Sequence, residues 1–230
     1  ISKAGDLMEK EIWYQKLNIY FVGFYLIFSI CLITYYLANG RLYYATLGLG
    51  GILLLLLPAA FERVCGLVPV YQFRFLLYGF SFLAYVVGLA MQGYHFIPLY
   101  DKVMHTLSGT FGTFLGVVLF YILKHGRRVQ QQDFPLVAIF SISASMAAAG
   151  LWEIGEYLVG LFFPCDPQQV ALTGVSDTMQ DMIVCLVGSL LWLPFLFRYY
   201  RKQKADFLMG CFRTFLSKNL SQEEPYGMEE

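Results

Sequence analysis

Six long apolar runs constrain the fold of this chain more than any other feature. Each is close to the length that a helix needs to cross the hydrocarbon core of a bilayer, about 20 residues. Hydrophobic residues make up 58% of the 230 residues and charged residues 14%, whereas soluble domains carry about a quarter charged residues. The sequence therefore predicts an all-α, polytopic membrane bundle with six transmembrane helices. The predicted spans are Leu17–Leu37, Leu42–Phe61, Phe73–Met91, Val103–Leu123, Phe134–Phe163 and Met182–Phe197.

The distribution of basic residues predicts the orientation of these spans. An even number of spans places both termini on the same side of the membrane. Of the 16 Lys and Arg residues, fourteen fall on that side, Arg127 and Arg128 among them, and only Arg41 and Lys102 fall on the other. By the positive-inside rule, the basic side is cytoplasmic. We therefore expect cytoplasmic N- and C-termini and an external face that is poor in positive charge.

The connections between the runs are short, which favours one compact domain. We expect a single six-helix transmembrane domain over residues 1–200, with its functional core at about 94–200, and a cytoplasmic tail over 201–230. Apolar residues in the tail recur at helical spacing between Lys204, Arg213 and Lys218, which is typical of an amphipathic juxtamembrane helix lying on the bilayer. A helix packed on the bundle explains the same pattern equally well.

The charge balance and the cysteine spacing argue against two kinds of site, one for nucleic acid and one for zinc bound by cysteines. The chain has 16 acidic residues against 16 basic ones, so it has no electrostatic footprint for nucleic acid. Its five cysteines form no CxxC motif and no Cys/His pair at zinc spacing. The sequence therefore predicts the lipid bilayer as its first partner and no binding of nucleic acid.

Three pairs of ionisable residues lie in or beside the last three spans, where each ionised group costs a few kcal/mol unless it has a partner or a role. The spacing of i,i+3 or i,i+4 within each pair places both members on one face of a helix. At about 1.5 Å per residue, the inner members lie roughly 26–28 Å from the cytoplasmic ends of their spans and the outer ones about 32–34 Å. All six are thus expected near the external boundary of a core about 30 Å thick. The pairs are Asp101 with His105, Glu153 with Glu156, and Asp177 with Asp181.

Five carboxylates at one level require compensating positive charge. Lys102 follows Asp101 directly, so we expect its side chain to point to another face of the helix. Oxygen-rich ligation with one imidazole suits Mg²⁺, Mn²⁺ or Ca²⁺, and Zn²⁺ also accepts such a set. A bound ion could polarise a phosphoryl or carbonyl oxygen or activate water, with a nearby side chain as base. The predicted metal ligands are His105, Glu153, Asp177 and Asp181, and the predicted proton acceptors are Glu156 and Asp101.

Structural explanations remain open for the same residues. Asp101 and Asp177 each stand where an N-cap is expected, and the latter would form a capping box with Gln180. His105 alone is typical of a packing residue, and Lys102 could neutralise one of the glutamates. Capping does not explain Glu153 and its partner, because they lie far along their helix. The alternative to a functional cluster is a purely structural polar network.

Small residues favour close packing of helices around this site. Gly109, Gly112 and Gly116 recur along the fourth span, and residues 144–150 form a small-residue face on the fifth. Small side chains let transmembrane backbones approach each other closely. We therefore expect the fourth, fifth and sixth spans to form the functional core.

Three motifs carry a resemblance to known families. The segments D-K-V-M-H-T-L-S-G from Asp101, W-E-I-G-E from Trp152 and D-T-M-Q-D from Asp177, the last followed by Gly188, resemble the YjdF-type bacterial inner-membrane proteins. The resemblance covers roughly residues 94–191. The order of the motifs is also similar to that of VanZ-like membrane proteins, which are associated with glycopeptide-antibiotic tolerance and envelope functions. The resemblance implies a multi-pass protein of the bacterial cytoplasmic membrane with a shared polar site.

These observations lead to one functional hypothesis and two alternatives. The hypothesis is an outward-facing acidic and histidine site that binds a divalent cation and acts on an envelope or lipid-linked substrate. The first alternative is a cation- or proton-coupled transporter of a small substrate. The second is a non-catalytic membrane scaffold in which the cluster only locks helices together.

Overall fold

The computed structural model describes residues 3–124, 129–163 and 165–220, with residues 3–8 as backbone only. Throughout these ranges the secondary structure is helical and contains no β-strand. Six helices in the same ranges are long and apolar enough to cross a bilayer. The predicted all-α membrane fold with six spans is therefore confirmed. The spans are Glu9–Ala38, Leu42–Cys65, Tyr71–Ala90, Tyr100–Leu123, Gln131–Phe162 and Ser176–Lys202.

The chain divides into two compact units, each with three spans. The first comprises Ile1–Pro98 and Cys211–Glu230, and the second comprises Leu99–Gly210. The single six-helix domain stays a prediction, as does the orientation of the termini. Arg127 and Arg128 of the predicted cytoplasmic side, and residues 221–230 of the predicted tail, lie outside the described residues.

Breaks in the helices of the first unit follow from local backbone chemistry. After α1, the turn at Gly40 uses a positive φ of 68°, which glycine adopts without steric cost. The second span is broken between α2 and α3, where Leu55 and Leu56 bond to carbonyls three residues back and Pro58 follows without an N–H. The third span continues from α4 into a π-helical segment. The bounds are α1 Lys3–Ala38, α2 Leu42–Leu54, α3 Leu57–Cys65, α4 Tyr71–Ser81, the π-helix Phe82–Ala90 and α5 Gly93–Phe96.

The C-terminal helix α10, Phe207–Asn219, is held against the first unit by its second half. Phe212 and Phe215 of this half are 0% and 4% exposed. Lys218 Nζ donates to Glu11 near the N-terminus and to the Pro69 carbonyl. This favours the packed helix over an amphipathic helix lying free on the bilayer. It also brings the two terminal helices of the chain together at one ion pair.

The second unit is built around α6 Tyr100–Leu123, α7 Phe134–Phe162 and α9 Ser176–Lys202, which pack against each other in all three combinations. The short helix α8, Val170–Thr173, lies in the connection between α7 and α9. The backbones of α6 and α9 are in direct contact through two glycines. A Cβ at Gly109 would lie 1.9 Å from the Cys185 carbonyl oxygen, and one at Gly188 would lie 1.9 Å from that of Thr106. Only glycine fits at both positions. The predicted close packing is therefore confirmed at Gly109, whereas a Cβ at Gly150 of the predicted face on the fifth span would meet nothing within 4 Å.

Below the predicted site, a layer of buried hydroxyls joins the three helices. Ser145 and Ser189 both donate to the Gly109 carbonyl at 3.1 Å, and Thr113 donates to it at 2.8 Å. Each of these side chains is at most 2% exposed. Because every hydroxyl has a backbone acceptor, the layer ties the bundle together without an unsatisfied polar group.

An apolar layer and then a second polar layer follow along the same helices. The apolar layer contains Phe114, Val117 and Leu196, all fully buried. Beyond it, Tyr121 Oη shares a 2.5 Å hydrogen bond with Tyr200 and donates to Asp133. At about 1.5 Å per residue, this second polar layer lies roughly 30 Å from Asp101 along α6, which is about the thickness of the hydrocarbon core.

Candidate functional site

A lysine lies at the centre of the acidic cluster. Lys102 Nζ is 3.0 Å from Asp101 Oδ2, 2.7 Å from Asp177 Oδ1 and 2.8 Å from Asp181 Oδ1. The expectation that this side chain points to another face is therefore wrong. The long, flexible stem of the lysine lets its ammonium reach carboxylates on both α6 and α9. Lys102 thus joins the fourth and sixth spans through one ammonium group.

His105 lies beside two of these carboxylates. Its Nε2 is 3.5 Å from Asp101 Oδ1 and 3.8 Å from Asp181 Oδ1. One ligand atom from each of these three residues lies within 4.8 Å of the other two. Two ligands of one divalent ion are about 3 to 3.5 Å apart when each is about 2.1 Å from the metal. The trio Asp101–His105–Asp181 is therefore close to the spacing of a metal site.

Two amides from the connection between α7 and α9 complete the polar contacts. Gln169 Nε2 donates to Asp177 Oδ2 at 3.2 Å. Gln168 Nε2 donates to the Glu153 carbonyl at 3.0 Å and to its Oε2 at 3.2 Å. Sequence reasoning missed both glutamines, because a short polar loop carries no helical periodicity. Their only signal is that they are uncharged hydrogen-bonding groups between two acidic motifs.

Glu153 is the most unusual acid of the site. It is 6% exposed, and its Oε1 has no hydrogen-bond partner among the described residues. A buried carboxylate oxygen without a partner costs about 1–3 kcal/mol or more. The sequence could not anticipate this, although it did indicate that a carboxylate so far along a helix has no capping role.

The second glutamate of α7 is held by its own helix and coupled to the rest of the cluster. Trp152 Nε1 donates to Glu156 Oε1 at 2.8 Å, across one helical turn. The charges that act on the Glu156 carboxylate include those of Glu153, Asp101 and Asp181. The structure therefore brings acids from all three helices to the same end of the second unit.

The helix-capping explanation of two aspartates is wrong. Neither α6 nor α9 has a side-chain hydrogen bond at its N-cap. Asp101 and Asp177 instead accept hydrogen bonds from Lys102. Gln180, the proposed partner in a capping box, donates to Ser176 Oγ at 2.9 Å. The carboxylates face the interior of the cluster because the long lysine side chain offers them a charged donor.

The charges of the site do not balance. Five carboxylates are accompanied by the Lys102 ammonium and by His105, whose charge depends on protonation. Like charges at such distances favour protonation of some groups or the binding of a cation. The arrangement is therefore suited to holding positive charge, either a metal ion or a cationic group of a ligand.

One family matches most of the chain. The family model described as a predicted membrane protein family, DUF2238, matches residues 20–202, which include all six predicted site residues. This agrees with the resemblance to YjdF-type proteins and gives no support to the resemblance to VanZ-like proteins. No curated protein and no solved structure matches the chain.

Proposed function

The chain belongs to the DUF2238 family of predicted membrane proteins, and from that membership we propose a multi-pass protein of the bacterial cytoplasmic membrane whose acidic site faces outward. The support for this orientation is the concentration of basic residues towards the opposite ends of the spans, which the positive-inside rule assigns to the cytoplasm. The site then lies at the level of the outer-leaflet headgroups.

The site of this protein binds one divalent cation through Asp101, His105 and Asp181. The observation that carries this proposal is that their ligand atoms lie within 4.8 Å of one another. Two carboxylate oxygens and one imidazole nitrogen suit Mg²⁺, Mn²⁺ or Zn²⁺, and with further oxygens Ca²⁺. The separations of 3.5 and 3.8 Å from His105 Nε2 need only a small side-chain rotation to meet one ion. Asp101, predicted from the sequence as a proton acceptor, is a ligand in this proposal, and ligation by Glu153 and Asp177 stays a prediction.

Lys102 positions the ligands in this proposal. Its ammonium is hydrogen-bonded to Asp101 Oδ2 and Asp181 Oδ1, and the Asp101 Oδ1 atom, on the other side of that carboxylate, faces His105. These charge-assisted hydrogen bonds limit the rotation of both carboxylates. Lys102 therefore holds two ligands in place before a cation arrives.

The substrate class follows from the depth of the site. We place it among envelope or lipid-linked compounds that carry a phosphoryl or carbonyl group and approach from the outer leaflet. A bound divalent cation would polarise such an oxygen. Glu156 keeps its predicted role as proton acceptor, and one of its oxygens is held in place by Trp152.

Coupled transport has weaker support. Transport requires polar groups that continue across the membrane. The buried hydroxyls of Ser145 and Ser189 form one polar layer below the acidic site. The layer after it is apolar, however, and contains the fully buried Phe114, Val117 and Leu196. Cation-dependent flux in liposomes that is lost in Glu153→Gln would favour transport over the proposal.

Thermal unfolding of the purified protein with Mg²⁺, Mn²⁺, Ca²⁺ or Zn²⁺ tests the proposed site. We expect at least one of these ions to raise Tm in the wild type and in His95→Ala, whose histidine is exposed in the first unit. His105→Ala should lose the shift, because it removes the only nitrogen ligand of the trio. Equal shifts in both variants, or no shift with any ion, would contradict the proposal.

A further inference from the structure

A cavity lies beside the acidic site, between the last turns of α7 and the segment that follows it. Its volume is about 460 Å³, which is large enough for a small headgroup. One wall is the face of α7 with Glu156, Tyr157, Gly160 and Leu161, and the other is formed by residues 165–168 with Val170 and Ala171. All of these residues belong to the second unit.

The charged residues that line the cavity are acidic. Glu156 and Asp166 line it, and its lining contains no Lys or Arg among the described residues. Both oxygens of Asp166 accept backbone N–H groups, from Val170 and Ala171 at 2.8 Å, so this acid is engaged in holding the loop. Glu156 is therefore the charged group that the cavity offers to a ligand, and an anion would be repelled by it.

Gln168 offers a second acceptor, in the wall opposite Glu156. Its Nε2 donates to Glu153, so the amide oxygen is the atom that remains for a ligand. Behind it lies the Glu153 carboxylate, 6% exposed and with Oε1 unpartnered among the described residues. The cavity thus offers a carboxylate on one wall and, on the other, an amide oxygen that lies in front of a second, buried acid. This pattern suits a cation with several N–H donors.

The level of the cavity points to a lipid. Measured from Phe134 at about 1.5 Å per residue, Glu156 lies roughly 33 Å along α7 and Leu161 roughly 40 Å. The hydrocarbon core is about 30 Å thick and the bilayer with its headgroups about 40–45 Å. The cavity therefore spans the headgroup region, and Tyr157 and Leu161 on its α7 wall are themselves exposed, at 58% and 61%.

We propose that this cavity binds the protonated amine of an aminophospholipid headgroup, with Glu156 as the counter-ion and the Gln168 amide oxygen as a further acceptor. A primary ammonium carries three N–H donors, whereas a choline headgroup carries none and a glycerol headgroup carries no positive charge. The cavity is distinct from the three proposed metal ligands, because none of Asp101, His105 and Asp181 lines it. Glu156 is the residue that the two proposals share.

Lipid titration of the purified protein by native mass spectrometry tests this inference. We expect phosphatidylethanolamine to bind at least about tenfold more tightly than phosphatidylcholine or phosphatidylglycerol, a difference of about 1.4 kcal/mol, because of the three headgroups only ethanolamine carries charged N–H donors. Glu156→Gln should remove that preference, and Glu9→Gln, at an exposed acid of α1, should keep it. Equal binding of the three lipids, or an unchanged preference in Glu156→Gln, would overturn the proposal.

A second variant tests the cavity without changing charge. A Cβ at Gly160 would lie 3.4 Å from the Cys165 carbonyl oxygen, so the longer side chain of Gly160→Leu should fill the cavity and abolish phosphatidylethanolamine binding. Gly155→Leu on the same helix, where a Cβ has open space, is the matched control and should bind normally. Loss of binding in both, or in neither, would contradict the assignment.

The two proposals can fail separately. His105→Ala should lose the metal-dependent rise in Tm and keep the lipid preference, whereas Gly160→Leu should do the opposite. If soluble phosphoethanolamine competes as well as the intact phospholipid, the cavity binds a free amine and the lipid proposal is wrong.

Discussion

Asp181 Oδ1 lies 2.8 Å from the Lys102 ammonium, so an almost fully buried carboxylate of the sixth span is ion-paired with a lysine of the fourth. The same oxygen lies 3.8 Å from His105 Nε2. A cation bound by the histidine and this aspartate would therefore share an oxygen with the ammonium. Lys102 both orders the ligands and opposes the charge of the ion, and the balance of these two effects can be measured.

The variant Lys102→Met separates the two effects of the ammonium, which are the ordering of the carboxylate ligands and the repulsion of the bound cation. Without metal, the variant should be less stable by about 3 kcal/mol, because a buried ion pair loses one partner and leaves uncompensated carboxylates. Its affinity for the divalent cation should rise by about tenfold or more, since a positive charge only a few ångströms away is removed. Unfolding curves with and without the ion measure both effects.

The matched control is Lys16→Met, at an exposed lysine of α1, which should change neither quantity. A Lys102→Met protein that binds the cation more weakly than the wild type would show that the ammonium serves the site mainly by ordering Asp181. An unchanged stability would contradict the geometry of the cluster itself.

The contact between α6 and α9 gives a second prediction. Gly109→Ala places a Cβ 1.9 Å from the Cys185 carbonyl oxygen, and such overpacking typically costs about 1–3 kcal/mol, or more against backbone. This exceeds the gain in helix propensity of about 1 kcal/mol. We therefore expect a lower Tm and a weaker metal-dependent shift, because the same contact sets the distance between Asp101 and Asp181.

Gly150→Ala is the control for this substitution. It lies within α7, where a Cβ meets nothing within 4 Å, so the helix-propensity gain should keep Tm unchanged or raise it slightly. A Gly109→Ala variant as stable as Gly150→Ala would show that the two helices are not in the contact described above.

Cysteine labelling tests the orientation that the basic residues predict. Cys165 is exposed in the connection after α7, and Cys65 is exposed at the end of α3. An impermeant maleimide should label Cys165 in intact cells and Cys65 only after permeabilisation, because the positive-inside rule places them on opposite sides. The reverse labelling pattern would show that the site faces the cytoplasm, which contradicts the predicted orientation.

Cys211 provides an internal control in the same experiment. Burial, with a smaller contribution from Glu11, raises the pKa of its thiol, and the thiolate is the form that reacts. Cys211 should therefore resist the maleimide both in intact cells and after permeabilisation, until the protein unfolds. Rapid labelling of the folded protein would show that the second half of α10 is not packed as described.

The spans could be predicted from the sequence, because they depend on the length of apolar helical runs. A rise of about 1.5 Å per residue fixes how far along its helix each residue lies, and His105 and Asp181, two of the predicted ligands, do come within 4.8 Å of each other and of Asp101. The close packing at Gly109 was equally accessible, since small residues at helical spacing indicate contact faces.

The position of the Lys102 charge could not be predicted from helical spacing. A helical wheel gives the direction of a Cβ, but the ammonium lies four bonds beyond it and moves towards the nearest carboxylates. Gln168 and Gln169 were missed for a related reason, since their contacts depend on how a loop folds back over the site. The sequence did contain an electrostatic indication that Lys102 pairs with the acids. Lys102 is one of only two basic residues on the predicted external side, where the acidic pairs also lie.

The most direct test of the metal site is electron paramagnetic resonance of Mn²⁺ bound to the purified protein. We expect about one tightly bound ion per chain, with a nitrogen modulation from the His105 imidazole that persists in His95→Ala and disappears in His105→Ala. Asp181→Asn should lower the affinity while the fold is retained. A protein that holds no ion, or an ion without nitrogen coupling in the wild type, would contradict the proposal that Asp101, His105 and Asp181 form a metal site.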